Sequence, residues 1–254
     1  MDATTPLIQK QKETASEDEL LETVDRRHFQ SLSGIYFVGF LFQCLGAILV
    51  SFWALDGRVT DKFIGGLSAF TLHPLFMVWG FGVLTPAAIS TWQLTTHSRA
   101  KKWHAILHGL TIAFTLVAIT GIFIDHNYPK VGPPKANLYS AHAWVGLSFL
   151  VLFYTHTIVF SYVFLLKRME AHRSKFVGYH RQIGTWILVV SNVILITGII
   201  RKQSFMNCGY VVSAPDINPI EHYPEIPLGC KISNWAALSL FFGNLLTVLG
   251  LVKQ

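Results

Sequence analysis

Charge is what this sequence has least of. Only 13% of its 254 residues are Asp, Glu, Lys or Arg, against about 25% in soluble globular domains. With 52% hydrophobic residues, it is also too apolar for a disordered chain. Cysteine is scarce: three residues make no disulfide scaffold, and none of their spacings matches a zinc site. No basic stretch followed by a short apolar run and a small-residue cleavage site opens the chain, so no secretory signal peptide is expected. Alternating segments of about ten residues, the mark of a membrane barrel, are missing as well. A net charge of +6 could suit nucleic acid. The basic residues instead sit in loops beside apolar runs, where topology bias places them, so no nucleic-acid partner is expected.

What the chain does have is six long apolar runs. They are Gly34–Leu55, Phe63–Trp92, Trp103–Ile124, Leu138–Leu166, His180–Ile200 and Ser233–Val252. Each reaches the roughly 20 residues a helix needs to cross a bilayer. The fold expected is all-α, a six-helix integral membrane bundle occupying residues 34–252. Residues 1–33 are polar, with acidic residues from Glu13 to Asp25 followed by Arg26 and Arg27, and read as a cytosolic tail. Thirteen Lys and Arg lie at one set of run ends and seven at the other. That asymmetry puts both termini in the cytosol. Among cellular membranes, the plasma membrane and endolysosomal or secretory vesicles remain open, as does a homodimer within them.

Histidines are costly inside such helices and are functional candidates by default. His73 and His142 fall toward the non-cytosolic side. His104 or His108, together with His180, fall toward the cytosolic side. Four consecutive runs thus supply imidazoles at two depths, one pair for each of two b-type haems stacked across the bilayer. Two imidazoles fill both axial positions of a haem iron, which makes an electron carrier rather than an oxygen-binding site. Zinc would want four ligands at one level. A second helix with histidines fourteen apart, to match His142 and His156, is also absent. Each histidine taken singly could be a core imidazole bonded to a backbone carbonyl.

The motifs Leu72-His73-Pro74-Leu75-Phe76-Met77, Lys101-Lys102-Trp103-His104 with His108, Asp125-His126, Leu138-Tyr139-Ser140-Ala141-His142-Ala143-Trp144 and Gly178-Tyr179-His180 resemble the cytochrome b561 family of ascorbate-dependent transmembrane electron carriers. The resemblance implies a haem-binding core made by the central four helices, with one haem b between His73 and His142 and another between His104 and His180. It selects His104 over His108, because His126 stands twenty-two residues after His104. It further implies that Lys101 and Lys102 receive cytosolic ascorbate. His126, with Tyr139 beside the motif histidine, serves the opposite side, where monodehydroascorbate or a ferric chelate takes the electron. Gln93 stands where better-known members carry arginine, and His156 where the family often has glutamine; a satisfied interior imidazole is expected there.

The last loop, from Arg201 to Ile232, holds Cys208 and Cys230. In an oxidising compartment they can staple it as a disulfide, or remain two free thiols; Cys44 reads as packing. A quinol-linked membrane cytochrome and a haem-containing scaffold or sensor are the competing functional readings. A quinone-like pocket should be apolar, unlike the Lys101–Lys102 entrance.

Overall fold

The computed structural model describes residues 33–55, 69–129, 132–169, 172–206, 208 and 226–252. The tail proposed over residues 1–33 lies outside these, apart from its last residue. Six helices long and apolar enough to cross a membrane carry the described chain: α1 (Ser33–Leu55), α2 (Ala69–Leu94), α3 (Ser98–Asn127), α4 (Ala141–Leu165), α5 (Arg173–Phe205) and α6 (Leu228–Val252). The protein is a multi-pass integral membrane protein with an all-α fold. Several helices outrun their apolar stretches. α5 begins seven residues before His180 and α3 takes in Lys101 and Lys102, because a helix leaving the hydrocarbon keeps its internal hydrogen bonds in the polar interface.

Alternate connections place the ends of α2, α3, α4 and α5 at two levels. Ala69, Asn127, Ala141 and Phe205 share one end of the bundle, called here the His73 end. Leu94, Ser98, Leu165 and Arg173 share the other, the His104 end. α2 packs along α3, α4 against α5, and α5 against both the middle of α2 and α6.

Lipid tails are as apolar as leucine, so close backbone approach and interhelical hydrogen bonds hold such a bundle together. α1 meets α6 through Gly46 and Gly243, where an added Cβ would lie 2.7 Å from Leu240 Cγ and from Gln43 Cγ respectively. The Gln43 amide donates across that contact to the Gly243 carbonyl at 3.1 Å and to Thr247 Oγ1 at 2.9 Å. α5 and α6 exchange a reciprocal pair. Asn192 Nδ2 donates to the Leu240 carbonyl at 3.0 Å, and Asn244 Nδ2 to the Leu188 carbonyl at 2.9 Å.

The middle of α2 widens into a π-helical stretch, Val78–Leu84. Pro74 lies inside the helix before it and Pro86 in the first turn of the segment after it. Neither proline has an N–H for the helical ladder, and across the wider turn a carbonyl accepts from the residue five positions on. The Gly80 carbonyl accepts from both the Thr85 backbone N–H and Thr85 Oγ1. Phe81 from this stretch packs edge-on against Phe149 at 4.9 Å and Phe153 at 5.0 Å. With Ile187 these rings form a dry cluster joining α2, α4 and α5.

Candidate functional site

At the His73 end, the start of α4 is set by Ser140, whose Oγ accepts from the Ala143 N–H at 3.2 Å as an N-cap. Leu138 two residues earlier has φ 54°, a left-handed conformation that costs a branched side chain energy. This turn sends the chain from Tyr139 straight into the helix that carries His142. The His142 and His73 rings face each other with centroids 6.4 Å apart and planes at 86°. His142 Nδ1 meets Thr197 Oγ1 at 3.2 Å, while that hydroxyl donates to the Ile194 carbonyl. The hydroxyl therefore accepts, Nδ1 carries the proton, and the lone pair is left on Nε2. Gly198 lies against the same imidazole: an added Cβ would sit 3.0 Å from Cε1 and 3.4 Å from Nε2.

Toward the end of the bundle, His126 Nδ1 donates to Asn137 Oδ1 at 3.2 Å, and Asn137 Nδ2 donates to Asn127 Oδ1. The His126 and Tyr139 rings are 6.1 Å apart. Arg201 stacks its guanidinium over Tyr139 at 5.3 Å and over Phe205 at 4.4 Å, with its Nε buried and unpartnered. Lys202 lies over Phe70 at 4.9 Å. Asp125 is the only carboxylate side chain among the described residues, and Lys135 pairs with it at 2.7 Å. The mouth of this end is therefore net basic and aromatic.

At the His104 end, His104 Nδ1 lies 2.9 Å from the Ala88 carbonyl. A carbonyl only accepts, so this ring too keeps its lone pair on Nε2. His180 faces it with centroids 5.8 Å apart. His108, one turn along α3, is 4.6 Å from His104, and His156 stacks on His180 at 4.8 Å. Phe160 and Phe164 close the pocket around His180 at 4.8 and 5.5 Å.

Imidazoles bound to opposite sides of one metal by bonds of ~2 Å put their ring centroids about 6 Å apart. Both facing pairs have that separation. Among the described residues no three His, Cys, Asp or Glu side chains are grouped to hold a bare ion. Four buried nitrogens (Nδ1 of His73, His108, His156 and His180) have no hydrogen-bond partner, a condition that costs ~1–3 kcal/mol each when unrelieved. By their separation, His73 with His142 and His104 with His180 are the residues that could each hold a planar metal cofactor between them.

Sequence reasoning brought the four histidines, His126 and Tyr139 into view, and the structure places them in three contacts: His73 with His142, His104 with His180, and His126 with Tyr139. The basic entrance is less simple. Lys101 Nζ donates to the Phe164 carbonyl at 3.2 Å, near the end of α4, whereas Lys102 is exposed. His156 departs from expectation: its Nδ1 is buried without a partner rather than satisfied, and its ring packs against Phe160 of α4 and His180 of α5. Cys208 and Cys230 are bonded to each other, with Cα atoms 5.7 Å apart, and Cys44 is free. Thr197, Gly198 and Arg201 were not singled out, since a threonine, a glycine and a loop-side arginine acquire roles only from what a neighbouring helix brings to them.

The pattern of the eukaryotic cytochrome b561 family matches residues 72–206, which spans every histidine named above. The chain is 29% identical over 188 residues to transmembrane ascorbate ferrireductase 1 of Arabidopsis thaliana, covering 69% of this chain and 74% of that protein. It is 32% identical over 165 residues to the lysosomal membrane ascorbate-dependent ferrireductase CYB561A3 of Rattus norvegicus, 63% of each chain. With the plasma membrane ascorbate-dependent reductase CYBRD1 of Xenopus laevis it shares 28% over 167 residues, covering 63% of this chain and 58% of that one. The chain spans between about half and three quarters of the length of the curated relatives it matches.

Proposed function

The chain belongs to the cytochrome b561 family, a family of transmembrane oxidoreductases related to ascorbate and ferric reductases, and on that premise we propose that it passes single electrons from cytosolic ascorbate to an acceptor across the membrane. The observation that carries the proposal is the pair of facing imidazole couples, His73 with His142 and His104 with His180, at opposite ends of one bundle. Each couple would hold one haem b. A haem held by two imidazoles would supply one-electron chemistry to this site rather than oxygen binding.

The remaining roles belong to the protein. The Ala88 carbonyl and Thr197 Oγ1 hold His104 and His142 in the tautomer that presents Nε2, the outer-shell orientation that metal-binding histidines need. The Phe81–Phe149–Phe153 cluster keeps water out of the span between the two levels. At the His104 end, which the basic residues around it favour as the cytosolic one, Lys102 and the partly engaged Lys101 raise the local concentration of the ascorbate anion. Ascorbate loses one electron and a proton there, becoming monodehydroascorbate. At the His73 end, His126 and Tyr139 receive the acceptor, either monodehydroascorbate or a ferric chelate reduced to its ferrous form. Arg201 and Lys202 give that mouth the charge an anionic acceptor requires.

The test is transfer across a sealed membrane. Vesicles loaded with ascorbate and carrying the protein oriented with its His104 end inside should reduce an impermeant ferric chelate outside. His73→Ala should abolish that transfer while leaving reduction of the remaining haem intact. Equal rates in His73→Ala and wild type would refute the proposal.

A further inference from the structure

His156 has no part in the proposed reaction, yet its surroundings are not those of a packing residue. It follows His142 by fourteen residues on α4, close to four turns, so one face of the helix carries an imidazole toward each end of the bundle about 21 Å apart. The His156 ring lies nearly parallel to that of His180, 14° between planes and 4.8 Å between centroids. Phe160 packs against both rings, at 4.5 Å from His156 and 4.8 Å from His180. Both histidines have a buried Nδ1 with no hydrogen-bond partner. A position that only filled space would be better served by leucine or phenylalanine, which carry no polar group to strand. Two parallel, unsatisfied imidazoles instead stand side by side, and one of them, His180, lies 5.8 Å from His104.

We propose that His156 is an alternative axial ligand of the haem at the His104 end, taking the place of His180 opposite His104. The inference rests on the two-haem reading above. In the exchange one iron–nitrogen bond to His180 breaks and one to His156 forms. Both ligands are neutral imidazoles, so no electron or net charge moves. The iron stays six-coordinate with two histidines in either arrangement.

The experiment uses the full chain in detergent and reads the haem-to-protein ratio, the absorption spectrum and the low-temperature electron paramagnetic resonance spectrum. Wild type, His156→Ala, His180→Ala and the double variant are compared. His180→Ala is expected to keep two low-spin haems, with a changed g-value for one of them because the ligand plane differs. His156→Ala should also keep two, and the double variant should fall to one. The inference is overturned if His180→Ala alone falls to one haem, if its second haem becomes five-coordinate and high-spin, or if the double variant keeps two low-spin haems. Haem retained between His73 and His142 shows that each variant is folded. Added imidazole that restores a haem lost from His180→Ala would show the pocket intact and His156 idle, which also overturns it. A wild-type ratio of one would overturn the two-haem reading itself, and this inference with it.

Discussion

Replacing Gly198 by valine should cost the haem at the His73 end while sparing the other. Gly198 lies in the interior of α5, where alanine would ordinarily favour the helix by ~1 kcal/mol. Here the ordinary expectation is reversed by what the glycine faces. A Cβ would stand 3.0 Å from His142 Cε1 and 3.4 Å from Nε2, so alanine asks the imidazole to move a few tenths of an ångström. Valine adds two methyl groups beyond that Cβ and pushes the ring off the line toward His73. Overpacking of this kind costs ~1–3 kcal/mol, or about 5- to 150-fold in affinity. The assay is retention of haem on dilution, scored by spectrum and haem-to-protein ratio in Gly198→Ala and Gly198→Val, with thermal unfolding measured alongside. Loss should be graded, small for alanine and large for valine, with the helix itself no less stable in alanine. Wild-type haem content and an unchanged low-spin spectrum in Gly198→Val would refute the reasoning.

The other predictions concern the two mouths and the frame. Lys101→Ala with Lys102→Ala should slow ascorbate reduction and flatten its salt dependence, since exposed charges are screened over about 8–10 Å at physiological salt. Dithionite reduction should be untouched, and wild-type kinetics at low salt would leave these lysines as a topology signal only. His126→Ala should impair delivery to the acceptor in loaded vesicles while reduction from the ascorbate side proceeds normally; slowing of both halves would contradict it. Asn192→Leu should lower stability by about 0.6–2 kcal/mol in a denaturing-detergent titration, because α5 loses one of its two amide clasps to α6. No shift in the midpoint would show that the clasp carries no net weight.

The six spans were legible because hydrocarbon leaves a chain few options: long uncharged runs must be helices, and their number follows from length and polarity. Boundaries were less so. α3 and α5 extend past their apolar stretches into charged sequence. The histidines could be sorted by depth from the order of the spans. That His73 meets His142 and His104 meets His180 depends on which helices are neighbours, and this the packing reveals. The π-helical stretch of α2 had no periodic signature, because one extra residue in a turn is decided by prolines and packing together. Arg201 reads in sequence as a loop cation and becomes a stacked side chain over Tyr139 and Phe205 only once α4 and α5 are side by side. In sequence, His156 reads as a satisfied core imidazole. Its unpartnered Nδ1 is visible only when every neighbour on α4 and α5 has been placed.

The most direct test of the central claim is the number of haems the purified wild-type chain holds and how each responds to ascorbate. Two facing imidazole couples predict two haem b per chain, both six-coordinate and low-spin, reducible by ascorbate and completely by dithionite. A ratio near one, or a high-spin signal in the wild type, would contradict the account.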